Sequence, residues 1–229
     1  MTTLRLISSM ATQALLADLV VLYQTHHPGV QVLVESVGGV DAAKRIQGGE
    51  AFDVVVLASD AIDRLVASGH LQAGSRVDLV HSGVAVAVPA GQPAPDISTE
   101  AALQAAVLAA STLGVSTGPS GVQLAKLFEA WGIAEQIKDR IVQAKPGVPV
   151  GALVAQGRVA LGFQQLSEMQ GVAGITVLGP LPEAVQITTT FSGSVASTSR
   201  APQAVRALLA FWASPACSPI KVRQGMAAA

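Results

Sequence analysis

The chain has 229 residues, with 14 Lys or Arg against 15 Asp or Glu and a formal net charge of -1. Hydrophobic residues make up 50%, charged residues 13%, and the mean hydropathy is +0.50, which excludes an intrinsically disordered chain. No basic run exists to bind phosphates, which need clustered Lys and Arg. The longest apolar stretches are interrupted at Asp18 and at Ser59, well short of the ~20 apolar residues that span a bilayer. We therefore predict neither a nucleic-acid partner nor direct membrane insertion.

The amino terminus and the cysteine content bear on location. The first residues enter a strand-like run directly, without the basic region, apolar core and cleavage site of a secretory signal. The single cysteine, Cys217, cannot form an intramolecular disulfide, so it gives no indication of an oxidising compartment. The sequence as it stands predicts a cytoplasmic protein. A periplasmic protein is the alternative if a leader was removed.

The first third of the chain alternates short apolar runs with helical periodicity. Strands are predicted at residues 4–7, 30–34 and 53–57. Helices are predicted at residues 11–26, 40–47 and 60–68. Three successive strand–helix units predict a parallel α/β sheet.

The remaining chain continues this alternation, with a Pro-rich stretch at 89–95 that indicates a turn or lobe boundary. Strands are predicted at 83–88, 113–115, 141–143, 159–163, 175–178 and 187–192. Helices are predicted from the Ser98/Thr99 cap to 110, and at 120–131, 150–156 and 202–213.

The predicted architecture is α/β with two lobes, each a mostly parallel sheet flanked by helices. Lobe 1 comprises residues 1–82 and 190–229, and lobe 2, residues 83–189, is inserted into it. Ligands of open α/β sheets bind beyond the carboxyl ends of the strands. Two such lobes predict a ligand cleft that can close around a small molecule.

Hydroxyl groups and glycines follow several of the predicted strands and precede helices. Free backbone N–H groups and the positive end of the helix dipole favour an anion there. The candidate ligand-binding residues in these loops are Ser8, Ser9, Gly38, Gly39, Ser59, Thr117, Ser120 and Gly121. The alternative for each loop is an ordinary N-terminal helix cap.

Catalytic and metal-binding signals are weaker. The four histidines are predicted at helix ends or in loops without metal-ligand spacing, and Cys217 has no neighbouring His. No nucleophile elbow, phosphate-binding loop or dinucleotide fingerprint is present. The sequence predicts no metal and no cofactor.

Polar residues at other strand ends are further candidates. Gln164 and Gln165 follow a strand and are predicted to face the cleft, with a solvated strand end as the alternative. Glu35, Asp60 and a Ser9-assisted group are the weak candidates for a catalytic base. A cap role at the helix start is the alternative for Asp60.

Several segments together resemble a known family. They are His27-Pro-Gly-Val30, the run Phe52-Asp-Val-Val-Val-Leu-Ala-Ser-Asp60, Ser116–Gly121 ahead of a helix, and Val154-Ala-Gln-Gly-Arg-Val-Ala-Leu-Gly-Phe163. The chain is similar, nearly end to end, to the molybdate-binding-type periplasmic solute receptors. This resemblance implies the type II periplasmic-binding-protein fold, an anion held between two lobes and, if the protein is exported, a transporter membrane subunit as partner.

The resemblance also assigns positions to the anion site. The first-loop serine of the family falls at Ser8 or Ser9, or at Ala11 by strict spacing, and the second-loop hydroxyl falls near Gly39. The second-lobe donors fall at Ser120 and near Gly147-Val148. Gln165 stands where molybdate receptors often carry a tyrosine. Because the tyrosine and the second-loop hydroxyl are missing, a di- or tricarboxylate fits these residues at least as well as molybdate.

Two main functions follow as expectations. The first is a solute-binding protein for a small oxyanion or organic acid. The second is an isomerase of a small carboxylic acid, because aconitate isomerase, which moves a double bond by proton transfer, is similar to these receptors in sequence and fold. An intracellular ligand sensor is a third expectation, since a fold does not fix a function.

Overall fold

The structure is a computed structural model that describes residues 1–145 and 147–229. The chain divides into two compact units, residues 1–82 with 190–229 (unit 1) and residues 83–189 (unit 2). Strands β1 to β10 are Thr2–Ser9, Val30–Val37, Val54–Ala58, Val77–Pro89, Leu113–Val115, Ile141–Gln143, Leu161–Gln165, Ile175–Pro180, Thr188–Val195 and Met226–Ala228. Helices α1 to α10 are Gln13–His26, Gly39–Gln47, Ser59–Ala67, Glu100–Ala109, Pro119–Ala130, Ala134–Ile137, Val150–Ala155, Leu166–Met169, Pro202–Ala213 and Ser218–Arg223.

Unit 1 is built on strand β1, which pairs in parallel with β2 on one side and β3 on the other. Strand β9 pairs antiparallel with β3, and the carboxyl-terminal strand β10 pairs antiparallel with the first half of β4. Every residue of β3 is buried, as a strand covered on both faces requires. Because β1, β2 and β3 are parallel, the loops that follow them lie at one edge of the sheet.

Helices α1 and α9 cover one face of the unit 1 sheet. Their buried residues, among them Leu16, Leu19 and Leu208, join a single apolar cluster with Leu4, Leu6 and Val54 of the strands. The indole N–H of fully buried Trp212 donates to the carbonyl of Leu19 at 3.2 Å, so this large side chain is satisfied as well as packed. Apolar burial of this kind supplies the main stabilisation of the sheet edge that carries the loops.

Unit 2 has its own parallel core, in which β5 pairs in parallel with β6 and with β7. The second half of β4 pairs antiparallel with β7 and β8. Two strand glycines allow helix α7 to approach closely, since a Cβ on Gly162 would lie 2.5 Å from Val154 Cγ2 and one on Gly114 would lie 2.8 Å from Val150 Cγ1. The loops after β5, β6 and β7 therefore share one edge of the unit 2 sheet.

The α/β class, with parallel strands flanked by helices, is confirmed. The predicted strand 83–88 is only the second half of β4, which begins at Val77. His81 therefore lies in a strand, where its Nδ1 is 2.9 Å from Thr190 Oγ1, and its prediction at a helix end or in a loop was wrong. Short elements were missed because they hold too few residues for periodicity to show: α6, α8, α10 and β10.

No helix in the described part of the chain is long and apolar enough to cross a membrane.

Candidate functional site

The edge of unit 1 brings the ends of β1 and β2 together. Their parallel register places Ser8 opposite Ser36 and Ser9 opposite Val37. The Ser8 side chain is fully buried, and its Oγ lies 2.8 Å from Ser36 Oγ. Ser8 therefore has a hydroxyl partner inside the protein.

Ser9 differs from its neighbour. It is 7% exposed, and its Oγ is the one buried side-chain nitrogen or oxygen among the described residues without a hydrogen-bond partner. Leaving a buried hydroxyl unpaired costs about 1–3 kcal/mol, so a native structure rarely keeps one without a reason. A Cβ built on Gly39 would lie 3.6 Å from Ser9 Cβ, so the Ser9 side chain is a neighbour of the first residue of α2.

The start of α2 supplies further donors. Gly38 is its N-terminal cap, and its carbonyl accepts the N–H of Ala42 at 2.9 Å. The N–H groups of Gly39 and Val40 therefore lie ahead of the first bond within the helix. An orphan hydroxyl and the amides of a helix N-terminus form a set of hydrogen-bond donors without a cation.

The hydroxyls of these loops do not cap the helices that follow. None of the residues at the N-terminal cap positions makes a side-chain capping bond. These residues are Ser9 for the short helix after β1, Gly38 for α2, Ala58 for α3 and Gly118 for α5. The capping alternative is therefore wrong for these loops. By contrast, Thr99 caps α4 as predicted, since its side chain accepts the N–H of Ala102 at 3.1 Å.

The two carboxylates proposed as bases in unit 1 are poor candidates in the structure. Glu35 is exposed, and its hydrogen bond from Arg45 holds the pKa of its carboxyl below its usual range. Asp60 is also exposed and forms an ion pair with Arg64 at 2.8 Å, rather than capping α3. Ser59 is the half-buried first residue of α3. Both carboxylates are exposed and paired with an arginine, whereas a general base that works near neutral pH is usually desolvated.

In unit 2 the loop after β5 wraps closely onto the start of α5. Buried Ser120 has its Oγ 3.0 Å from Ser116 Oγ. A Cβ on Gly121 would overlap the Ser116 carbonyl oxygen, so only glycine fits there. Thr117, next to Gly118, is half-buried. This packing fixes the hydroxyls of the loop beside the first turn of α5.

The two glutamines at the end of β7 are both 3% exposed, so a solvated strand end is wrong for them. Gln164 accepts the N–H of Gly151, in the first turn of α7, at 3.2 Å. Gln165 donates to Thr189 Oγ1 at 2.9 Å. Val148, in the loop before α7, is exposed, and its own N–H donates to the Lys145 carbonyl at 2.9 Å.

One titratable group at this edge was missed by sequence reasoning. Glu168 lies on α8, directly after β7, and accepts a hydrogen bond from Gln164 Nε2 at 2.8 Å. Burial raises the pKa of its carboxyl to about 7, against the opposing hydrogen bond from Gln164. The available signal was a lone acidic residue four positions after a buried strand-end glutamine. No group of three or more His, Cys, Asp or Glu in the described residues could hold a metal ion.

Solved structures similar to this one include solute receptors. A periplasmic molybdate-binding protein from Azotobacter vinelandii matches with a TM-score of 0.80 at 17% identity, covering 97% of this chain and 98% of that one. The substrate-binding domain of a putative molybdenum ABC transporter from Clostridium difficile gives 0.77 at 18% identity over the whole of both chains. At such identities the likeness shows the fold alone, which is that of the periplasmic binding proteins.

The sequence comparisons extend this result. The model of the family described as bacterial extracellular solute-binding protein matches residues 4–227, and the chain belongs to this family. It is also similar to an aconitate isomerase from a Pseudomonas species, with 41% identity over 174 residues. That match covers 74% of this chain and 65% of the isomerase, so the chain spans just under two thirds of that relative.

Proposed function

We propose that the protein binds a small oxyanion or organic acid, as a solute-binding protein does. The observation that carries this proposal is the buried Ser9 hydroxyl without a partner, on a side chain that neighbours the first residue of α2. An anion at this point would accept from the hydroxyl and from the free amides together. Receptors of the same fold are described as binding molybdate and sulfate.

The experiment is a calorimetric titration with molybdate, tungstate, sulfate, citrate, and cis- and trans-aconitate. We expect at least one of these anions to bind. Ser9→Ala should then weaken binding of that anion roughly 10- to 100-fold, because a hydrogen bond to a charged ligand is worth about 1.5–3 kcal/mol. The substitution removes no internal hydrogen bond, so the melting temperature should not fall.

Ser75→Ala is the matched control. Ser75 is a buried serine of unit 1 whose Oγ donates to the Gln72 carbonyl, accepts the Val195 N–H and lies 2.7 Å from Ser194 Oγ. Its loss should lower the melting temperature and leave affinity unchanged. Ser120→Ala tests whether unit 2 contributes to the same ligand. Equal affinity in the wild-type protein and Ser9→Ala, or no binding by any anion of the panel, contradicts the proposal.

A second candidate function is the isomerisation of a small unsaturated carboxylic acid. It is favoured by the 41% identity with an aconitate isomerase. Such a reaction needs a group that can take and return a proton near neutral pH. Proton NMR in D2O distinguishes the two functions, because an isomerase produces new isomer signals and a receptor only broadens the signals of its ligand.

The binding function also suggests a transporter as the partner of this protein. If the protein is exported, we propose that it delivers its ligand to the membrane subunit of a transporter. This is supported by the Clostridium difficile relative, which is described as the substrate-binding domain of a putative ABC transporter. Co-purification with such a subunit, dependent on the bound anion, would support this partner.

A further inference from the structure

Glu168 lies at the edge of unit 2 where the loops after β5, β6 and β7 meet. Strand β5 is paired in parallel with both β6 and β7, so the loops that follow the three strands meet at one edge. Glu168 lies three residues after β7 ends. It is therefore on the same edge as Ser120 and the start of α7.

The carboxyl of Glu168 is held without a cation. Glu35 and Glu135, by contrast, form ion pairs with Arg45 and Lys138. The one hydrogen bond found for Glu168 in the described residues comes from the neutral amide of Gln164. Strands β4, β7 and β8, with helix α7, surround this position, and the unit 2 parts of these elements contain no titratable residue. The described residues of these four elements therefore supply no charge that would oppose or fix its ionisation.

Two hydrogen bonds link Glu168 to the first turn of α7. Gln164 accepts the N–H of Gly151 with Oε1 and donates with Nε2 to Glu168 Oε1. These two bonds fix the orientation of the Gln164 amide. Oε2 of Glu168 has no hydrogen-bond partner among the described residues. Oε2 is not fully sealed from solvent, because Ser9 Oγ is the one fully sealed side-chain oxygen or nitrogen without a partner among the described residues. The carboxyl thus combines a desolvated environment with one oxygen that has no hydrogen-bond partner among the described residues.

We propose that Glu168 transfers the proton in an allylic isomerisation of an unsaturated di- or tricarboxylic acid, which rests on the second candidate function above. The ionised carboxylate takes a proton from the methylene carbon, breaking that C–H bond. The electron pair of that bond forms a new carbon–carbon double bond. At the same time the electrons of the original double bond move onto the carboxylate attached to it. Glu168 then returns a proton to the former alkene carbon. Atoms and charge balance without an oxidant or a reductant.

The burial that raises the pKa of this carboxyl to about 7 suits both halves of the reaction. A group with a pKa near the working pH is ionised often enough to accept a proton and acidic enough to return it. Hydroxyl and backbone N–H donors at the same edge would stabilise the charge that develops on the substrate carboxylate.

The experiment follows trans-aconitate in D2O by proton NMR from pH 5.5 to 8.5, with the wild-type protein, Glu168→Gln, Glu168→Asp and Glu129→Gln. Glu129 is exposed on α5 and serves as the matched control. We expect the wild-type protein to interconvert the isomers with a kcat/KM that rises through about pH 7. The kcat/KM of Glu168→Gln should be at least 100-fold lower than that of the wild-type protein, and Glu168→Asp should recover part of it. The kcat/KM of Glu129→Gln should equal the wild-type value.

The affinity of each variant for trans-aconitate, measured by calorimetry, distinguishes failure of the Glu168 role from failure of the isomerase function. Near-normal affinity in Glu168→Gln with lost turnover supports proton transfer. Isomerisation at the wild-type rate by Glu168→Gln overturns the role of Glu168 and leaves the isomerase function standing. Binding without isomerisation by the wild-type protein overturns both the role and the second candidate function, while the receptor function stands.

Discussion

Replacing Glu168 by glutamine should make unit 2 more stable at neutral and alkaline pH. The structure raises the pKa of this carboxyl by burial from 4.5 to about 7. Between these two pH values the folded protein keeps a proton that the unfolded chain has released. The free energy of unfolding therefore falls as pH rises through this window and stays low above it.

The magnitude follows from the two pKa values. Each tenfold change in acidity is worth about 1.4 kcal/mol, so the full effect above pH 7 is about 3 kcal/mol. Because Glu168 is only partly buried, solvent screens part of this effect and we expect about 2–3 kcal/mol. Glu168→Gln removes this cost, keeps an oxygen that can accept from Gln164 Nε2, and should raise the melting temperature of unit 2 by roughly 9–13 °C at pH 8.

The assay is urea unfolding at pH 4.5, 6 and 8 for the protein with and without Glu168→Gln. Trp131 lies in unit 2 and Trp212 in unit 1, and the chain has 2 tryptophans. In a Trp212→Phe background the fluorescence change therefore reports unit 2. The two proteins should be similar in stability at pH 4.5 and diverge by pH 8. A stability difference that is the same at all three pH values would refute the assignment of a raised pKa to Glu168.

Two further predictions concern packing and buried charge. Gly121→Ala should destabilise unit 2 by about 1–3 kcal/mol in urea unfolding, because its Cβ would overlap the Ser116 carbonyl oxygen. Gly118→Ala is the control, since its nearest contact would be an ordinary 3.7 Å, and a similar loss in both would contradict the clash. Lys221 is 1% exposed and burial lowers the pKa of its amine, so Lys221→Met should raise the melting temperature at pH 7. That gain should shrink as pH approaches the pKa of an unfolded lysine, and a gain that does not change with pH would argue against a desolvated amine.

The strands and helices of the first seventy residues were predictable because each carries a complete local signal. Residues 54–58 form a continuous apolar run, and glycines or prolines end the neighbouring segments. The hydroxyl-rich loop from Ser116 to Gly121 was likewise visible, since its composition and the helix after it are local in sequence. Elements of three to six residues, such as α8, hold less than two turns and give no periodic pattern.

Some properties of the candidate site can likewise be predicted from the sequence, and others depend on the tertiary structure. The sequence by itself determined the α/β class, the resemblance to solute receptors and the loops that carry Ser9 and Ser120, because these depend on residue type and spacing along the chain. Only the tertiary structure decided that Ser8 has a hydroxyl partner while Ser9 has none. Only the tertiary structure decided that Glu35 is ion-paired in water while Glu168 is desolvated. Hydrogen-bond satisfaction and desolvation depend on atoms that packing brings together from distant parts of the chain, and no local pattern encodes them.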